Sequence, residues 1–222
     1  MSQLDLITLT DPRSPASEAY RTLRTNLEFS SLEHSLQSLL ATSPAADDFK
    51  SETVANLAVI MAEGGRKVIL VDGDLRRPAQ HEIFHLDNSR GLCDLLTAAE
   101  QDADADALLQ ESGVEGLRVL TSGALPQNPS VLLGGAVMEQ AIDLLTGQAD
   151  LVLFDAPPVL AVTDASLLAA QVDGTLLVVR AGSTRREHVQ QAQALLQKVN
   201  AHLVGAALTH ARLDGAFSSY YG

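Results

Sequence analysis

The feature that most constrains what this chain can fold into is a recurrence of short apolar runs, rich in β-branched residues, spaced so that a helix fits between each pair. The runs are Leu39–Thr42, Val68–Val71, Leu117–Thr121, Leu151–Phe154, Thr175–Val179 and Leu203–Leu208. Strands apolar on both faces must be covered on both faces, which is the requirement of a parallel sheet flanked by helices. The intervening segments supply the cover. Val54, Leu57, Ala58 and Met61 share one helical face after the first run, and Val189, Ala192, Leu196 and Val199 share one before the last. The pattern predicts an α/β fold: a mostly parallel central sheet with helices on both faces, three layers in all. No internal repeat and no linker rich in Pro, Gly or Ser marks a boundary, and the acidic stretch Gln101–Asp106 reads as a solvated loop or a helix start.

Ahead of the first strand, Ser14 is placed to cap a helix with Pro15 at its first position, and Ala16, Tyr20, Leu23 and Leu27 follow at helical spacing. Glu18, Arg21 and Arg24 form a charged stripe beside that apolar one. By spacing alone the stripe is a solvated face with a weak intrahelical ion pair.

Charge and cysteine content exclude several functions. Fifteen Lys and Arg against 28 Asp and Glu leave a net charge of −13, the wrong sign for a protein that binds nucleic acid through its phosphates. The single cysteine, Cys93, lies in an apolar stretch and reads as a core residue, so neither a disulfide framework nor a cysteine zinc cluster is available. No apolar run reaches the length of a membrane span, and the start Met-Ser-Gln-Leu-Asp lacks the regions of a signal peptide. The expected location is the cytoplasm.

The strand at Leu39–Thr42 runs into Ser-Pro-Ala-Ala-Asp-Asp-Phe-Lys-Ser and then into a helix near Glu52. Strand, loop, Lys-Ser, helix is the context of a P-loop, whose backbone N–H groups surround phosphates while the lysine pairs with their oxygens and the serine binds magnesium. Lys50 and Ser51 fit those roles, within a candidate nucleotide-binding segment Asp47, Asp48, Phe49, Lys50, Ser51 and Glu52. The loop has lost its glycines. The pattern G-x-x-x-x-G-K-[ST] would place them at Pro44 and Phe49, and a side chain at 49 stands where the backbone approaches phosphate and where glycine's conformational freedom is useful.

Two further strands end in carboxylates. Val68–Val71 leads into Asp72-Gly73-Asp74-Leu75-Arg76-Arg77-Pro78, and Leu151–Phe154 into Asp155-Ala156-Pro157-Pro158. Ligands bind outside the C-terminal ends of strands in open α/β sheets, and carboxylates there can hold magnesium or accept a hydroxyl proton. The simpler reading of any one such Asp is a cap or a turn. Two of them beside a strand that leads to Lys-Ser point to a divalent-metal nucleotide site. His81-Glu82-Ile83-Phe84-His85 matches the zinc-peptidase pattern H-E-x-x-H, but Pro78 and Asp87-Asn88 leave only about two turns and no third ligand follows at a known spacing.

Taken together, these residues resemble the bacterial tyrosine kinases (BY-kinases) of capsule and exopolysaccharide systems, within the deviant P-loop ATPases that include the MinD and ParA proteins. Ser-Pro-Ala-Ser-Glu-Ala-Tyr-Arg-Thr-Leu-Arg-Thr-Asn is similar to the family's opening, with its E-x-x-R-x-x-R motif at Glu18, Arg21 and Arg24. Val-Ile-Leu-Val-Asp-Gly-Asp-Leu-Arg-Arg-Pro resembles its second Walker A element, Leu-Val-Leu-Phe-Asp-Ala-Pro-Pro-Val its Walker B, and the Asn128-Pro129-Ser130 turn and Val179-Arg180-Ala181-Gly182 are similar to family members.

The resemblance implies ATP and Mg2+ as cofactors, with Lys50, Asp72 and Asp74 catalytic, Asp72 the base for a tyrosine hydroxyl, and Ser51, Asp72 and Asp155 serving the metal. It implies a single kinase domain over 1–222, with an oligomerisation helix at about 14–29 building a ring-like homo-oligomer and a tail at about 211–222 carrying phosphoacceptors Tyr220 and Tyr221. The implied partner is a membrane-spanning polysaccharide co-polymerase that activates the kinase and holds it at the inner face of the membrane. Because the chain begins almost at the E-x-x-R-x-x-R helix, it looks like the stand-alone form. A pseudokinase, with Phe49 filling the phosphate space of an assembly module, is the alternative. A MinD-type ATPase would need a signature lysine early in the loop, where this chain has Ala45.

Overall fold

The computed structural model describes residues 4–30, 36–46, 48–98 and 104–211. Among them, seven strands form one sheet in the order β3-β4-β2-β5-β1-β6-β7. The strands are β1 (Ser38–Thr42), β2 (Val68–Asp72), β3 (Gln110–Glu111), β4 (Leu117–Leu120), β5 (Leu151–Asp155), β6 (Gly174–Arg180) and β7 (Leu203–Thr209). All pairings are parallel except β3 with β4. The six apolar runs are the six parallel strands. The two-residue β3 is polar, carries no periodic signal, and was invisible to pattern reading.

Strand alternation divides the core in two. Leu39 and Ala41 of β1 and Leu151 and Leu153 of β5 face one side, where α1 (Ile7–Thr10), α2 (Pro15–Ser30) and α3 (Lys50–Glu63) cover them. Leu40, Val152 and Phe154 face the other, against α5 (Leu92–Thr97), α7 (Ala136–Thr146), α8 (Asp164–Ala169) and α9 (Arg186–Lys198). The short helices α4 (Gln80–Phe84) and α6 (Pro129–Leu133) complete the set. This is the three-layer architecture expected from the sequence.

Two expectations need correction. The helix after β1 is not one-sided: Thr53 through Ala62 are all buried, because α1 and α2 lie over the face that the periodicity leaves to solvent. Asn56 makes that tolerable, its Oδ1 accepting from both the backbone N–H (3.1 Å) and the hydroxyl (2.9 Å) of Thr8. Conversely β7 is a sheet edge rather than a doubly covered strand, and Leu208 is 65% exposed.

The helix at Pro15 forms as the spacing predicts, with the Ser17 N–H donating to the Ser14 hydroxyl at 3.2 Å. Of the charged stripe, Arg21 pairs with Glu18 along the helix. Arg24 lies 3.8 Å from Glu28 along the same helix and also donates from Nη1 to the Ile60 carbonyl at 3.2 Å near the C-terminal end of α3, where a cation offsets the negative end of the helix. A side chain at Gly64 would put Cβ 2.7 Å from Arg24 Nη1, so that glycine keeps the approach open. No described helix is long and apolar enough to cross a membrane. Cys93 is buried in α5, and burial pushes its thiol up to about 11. Asp47, Tyr220, Tyr221 and His34 lie outside the described residues.

Candidate active site

The ends of β1, β2 and β5 deliver the predicted residues to one place. Register does the work: β2 and β5 are neighbours with Asp72 opposite Asp155, and β1 is β5's other neighbour with Ala41 opposite Asp155. The two carboxylates therefore stand side by side, fully buried, at the carboxyl edge of the sheet. Gly73 permits this closeness. Its N–H donates to the Asp155 carbonyl at 2.8 Å, and a Cβ there would stand 3.0 Å from the same oxygen.

Lys50, the first residue of α3, reaches across from the next loop. Its Nζ donates to Asp155 Oδ1 and to the Ser51 hydroxyl (3.1 Å), with Asp74 Oδ2 at 3.8 Å. Asp74 is buried and uses Oδ1 for the backbone N–H groups of Arg76 (3.3 Å) and Arg77 (3.0 Å). Asp72 Oδ2 accepts from the backbone N–H groups of Ala79 and Gln80, each at 2.9 Å. Burial, then the adjacent Asp155 charge, push Asp72 up to about 8, against the pull of those two N–H groups and of Lys50. Burial likewise raises Asp74, opposed by Lys50. A site that strains to hold two carboxylate charges with one ammonium is short of positive charge.

The phosphate loop is shaped without glycine. Phe49 takes the left-handed backbone, φ 57° and ψ 35°, that a glycine would adopt freely, and its carbonyl accepts the Thr53 hydroxyl at 2.7 Å. The ring packs on the far side of β1 from Lys50 Nζ. It lies toward β6 and β7, with its centroid 4.3 Å from that of His210 and 4.9 Å from the Arg180 guanidinium carbon, whereas Lys50 Nζ lies on the opposite flank of β1, toward β5. Asp48 faces the same way as Phe49. Its buried carboxylate accepts from the Ala45 N–H (3.1 Å), the Arg180 N–H (3.3 Å) and the Thr184 hydroxyl, while its carbonyl accepts the Thr209 hydroxyl at 3.2 Å. Both side chains thus turn toward β6 and β7, away from the edge where Asp72 and Asp155 stand. Ser51 is half-buried and Glu52 is exposed.

Two residues escaped the sequence reading. Gln80 is fully buried at the start of α4, and its Nε2 donates to Asp155 Oδ2 (2.7 Å) and to the Ser51 carbonyl (3.1 Å). Asp164, also fully buried, receives Arg76 in a two-pronged pair, Nε to Oδ2 at 2.7 Å and Nη2 to Oδ1 at 3.0 Å, which ties the Asp72-Gly73-Asp74 loop to α8. A lone Gln after a proline turn, or an Asp at a helix start, carries no chemical signature in sequence. His81 and His85, by contrast, form no pair on one helix, since α4 ends at Phe84 and His85 adopts a left-handed backbone.

The parallel sheet, the Lys-Ser loop opening α3 and the paired strand-end carboxylates define a P-loop NTPase. The ParA family model, described as "NUBPL iron-transfer P-loop NTPase", matches residues 49–208. The tyrosine-protein kinase YwqD of Bacillus subtilis is 39% identical over 221 residues, covering 99% of this chain and 92% of that protein. Among solved structures, the kinase domain of Escherichia coli tyrosine kinase ETK superposes with a TM-score of 0.89 at 31% identity, covering 97% of this chain and 84% of that one. The chimerical protein CapA2B2 gives 0.84 at 36% identity, with 94% and 90% covered. The chain belongs to the bacterial tyrosine-protein kinases.

The oxygens gathered here fit a hard divalent cation that shares its coordination with a nucleotide. Asp72, Asp155 and Ser51 are oxygen ligands of the kind magnesium takes, and Gln80 Oε1 is a buried oxygen without a partner. Among the described residues, no three His, Cys, Asp or Glu side chains form a ready-made metal cage. Magnesium keeps several waters and is usually held by one or two carboxylates plus phosphate oxygens.

Proposed function

We propose that the chain is an ATP- and Mg2+-dependent protein-tyrosine autokinase that regulates polysaccharide polymerisation and export. The observation that carries this is the meeting of Lys50, Asp72, Asp74 and Asp155 from three segments at one buried sheet edge, with an excess of negative charge that a metal ion offsets. ATP supplies the phosphoryl group and magnesium supplies the charge that neutralises its oxygens. Lys50 would exchange Asp155 for phosphate oxygens. Ser51 and Asp155 would then hold the metal, with Asp72 facing both it and the acceptor.

Asp72 is the candidate base for the tyrosine hydroxyl. Burial and the adjacent Asp155 charge raise the metal-free group to about 8, and positive charge entering the site would lower it again. A base so placed is switched on by the metal-nucleotide itself. Asp74 would steady Lys50 through their 3.8 Å approach, and catalysis would rest mainly on positioning and charge.

By the same resemblance, Glu18, Arg21 and Arg24 would build a ring of copies, and Tyr220 and Tyr221 would be phosphorylated by a neighbouring copy. A membrane-spanning activator would hold the ring at the cytoplasmic face. The assembly-module alternative, which needs Phe49 in the phosphate space, is disfavoured because the ring packs on His210 and Arg180 instead.

Mass spectrometry after incubation with Mg-ATP, with and without the activator's cytoplasmic segment, tests the assignment. Phosphate is expected on Tyr220 or Tyr221 and is expected to vanish in Lys50→Met. Its absence from the wild type in both conditions would overturn the kinase reading.

A further inference from the structure

Gln80 touches all three segments of the site. Its backbone N–H donates to Asp72 Oδ2 at 2.9 Å, and its Nε2 donates to Asp155 Oδ2 at 2.7 Å and to the Ser51 carbonyl at 3.1 Å. The orientation of the amide is therefore determined. Both groups facing Nε2 are acceptors, so a turned amide would set its oxygen against a carboxylate. This leaves Oε1 on the other side of the amide, out of contact with water and without a donor among the described residues.

Three buried glutamine oxygens lack a donor among the described residues, those of Gln80, Gln148 and Gln171. Of the three residues only Gln80 is bonded to carboxylates of the site, and an unsatisfied buried polar atom in such a place points to a group the protein alone does not supply. Around Gln80 the missing group must be a donor, yet it must also suit a cluster already burdened with carboxylates. A cation-bound water meets both conditions. It brings positive charge beside Asp72 and Asp155, and its polarised O–H groups are strong donors.

We propose that Gln80 is a positioning residue for a hydrated divalent cation: its N–H and Nε2 hold Asp72, Asp155 and Ser51 in register, and its Oε1 accepts a hydrogen bond from a metal-bound water. The proposal rests on the magnesium-nucleotide reading given above. It assigns Gln80 to the metal rather than to the phosphates. Outer partners of this kind commonly change metal affinity by about 10-fold to 100-fold when removed.

The test separates metal from nucleotide. Binding of ADP to the full chain is measured by calorimetry with Mg2+ and again in EDTA, and the ratio of the two affinities is compared among the wild type, Gln80→Leu and Gln80→Glu. Both variants lose the amide donors to Asp155 and Ser51. Only Gln80→Glu keeps an oxygen at the Oε1 position.

The expected result is a ratio lowered by about 10-fold in Gln80→Leu, with ADP affinity in EDTA little changed, and a ratio in Gln80→Glu at or above that of the wild type. Gln80→Met, unbranched and of similar volume, replaces the leucine variant if the latter is not folded. Equal losses in both variants would mean that the amide is merely structural and would overturn the proposal, as would an unchanged ratio in Gln80→Leu. A wild type that binds ADP in EDTA without metal enhancement overturns this proposal alone. A wild type that binds ADP in neither condition overturns the nucleotide reading and this proposal with it.

Discussion

Lys50 Nζ donates to Asp155 Oδ1 across 105 residues of sequence, with both side chains out of water. Without nucleotide, the lysine proposed to bind phosphate is thus already matched by a carboxylate, and nucleotide binding would be an exchange of partners rather than the capture of a free charge.

Removing one partner of that pair is expected to cost stability before it costs activity. Lys50→Met leaves Asp155 buried with only Gln80 as donor and should lower unfolding free energy by about 3 kcal/mol. Adding Asp155→Asn should restore a part of that loss while nucleotide binding stays abolished. Urea unfolding of the two variants measures it. A Lys50→Met protein as stable as the wild type would show that the pair is not formed in solution.

The raised Asp72 makes metal-free stability depend on pH in a definite direction. The folded state binds this proton more tightly, about 8 against an ordinary 3.8, so stability is greatest below the unfolded value and is lost as pH rises from about 4 through about 8. The slope from this one group is at most about 1.4 kcal/mol per pH unit. In EDTA, the wild type should therefore lose more stability between pH 5 and pH 8.5 than Asp72→Asn does. Parallel pH profiles for the two proteins would contradict it.

Phe49 offers a conformational test. Phe49→Gly relieves a left-handed backbone that costs an L-residue about 1–2 kcal/mol but gives up the ring's contacts with His210 and Arg180, so thermal stability should shift little. Phe49→Ala keeps the backbone cost and loses the contacts, and should be the less stable variant by about 1 kcal/mol. Mg-ADP affinity of Phe49→Gly should stay within about 2-fold of the wild type, well under the tenfold that 1.4 kcal/mol represents. Binding seen only in the glycine variant would reinstate the assembly-module reading.

Asp48 should behave as a fastener of the loop. Asp48→Ala leaves the Ala45 N–H and the Thr184 hydroxyl without their acceptor, and the Arg180 N–H with the Thr184 oxygen alone, a loss of about 2 kcal/mol by the usual value of hydrogen bonds to a charged group. Thr184→Val should cost less, and the two losses should not add, because they remove one shared contact. Melting temperatures of the single and double variants give the coupling directly. Strict additivity would place Thr184 outside the network.

The particular residues show why some of this was legible and some was not. Five of the six parallel strands were readable because a doubly covered strand has to be apolar throughout, while β7 is an apolar run that the fold leaves at the sheet edge. Lys50, Ser51, Asp72 and Asp155 were readable only in combination, since an Asp at one strand end is commonly a cap or a turn, whereas two beside a strand that leads to Lys-Ser share one chemistry. The polar β3 and the buried outer face of α3 were not, since one lacks any period and the other is covered by helices distant in sequence.

The sequence by itself determined the layer architecture, the family and the residues that meet at the carboxyl edge of the sheet, because hydrophobic period and residue chemistry are local properties. Tertiary structure alone decided that Phe49 turns toward His210 and Arg180, that Asp48 fastens the loop, and that Gln80 joins three segments. Each of these depends on which strand ends lie side by side, and strand order is set by packing across the whole sheet, which no local pattern records.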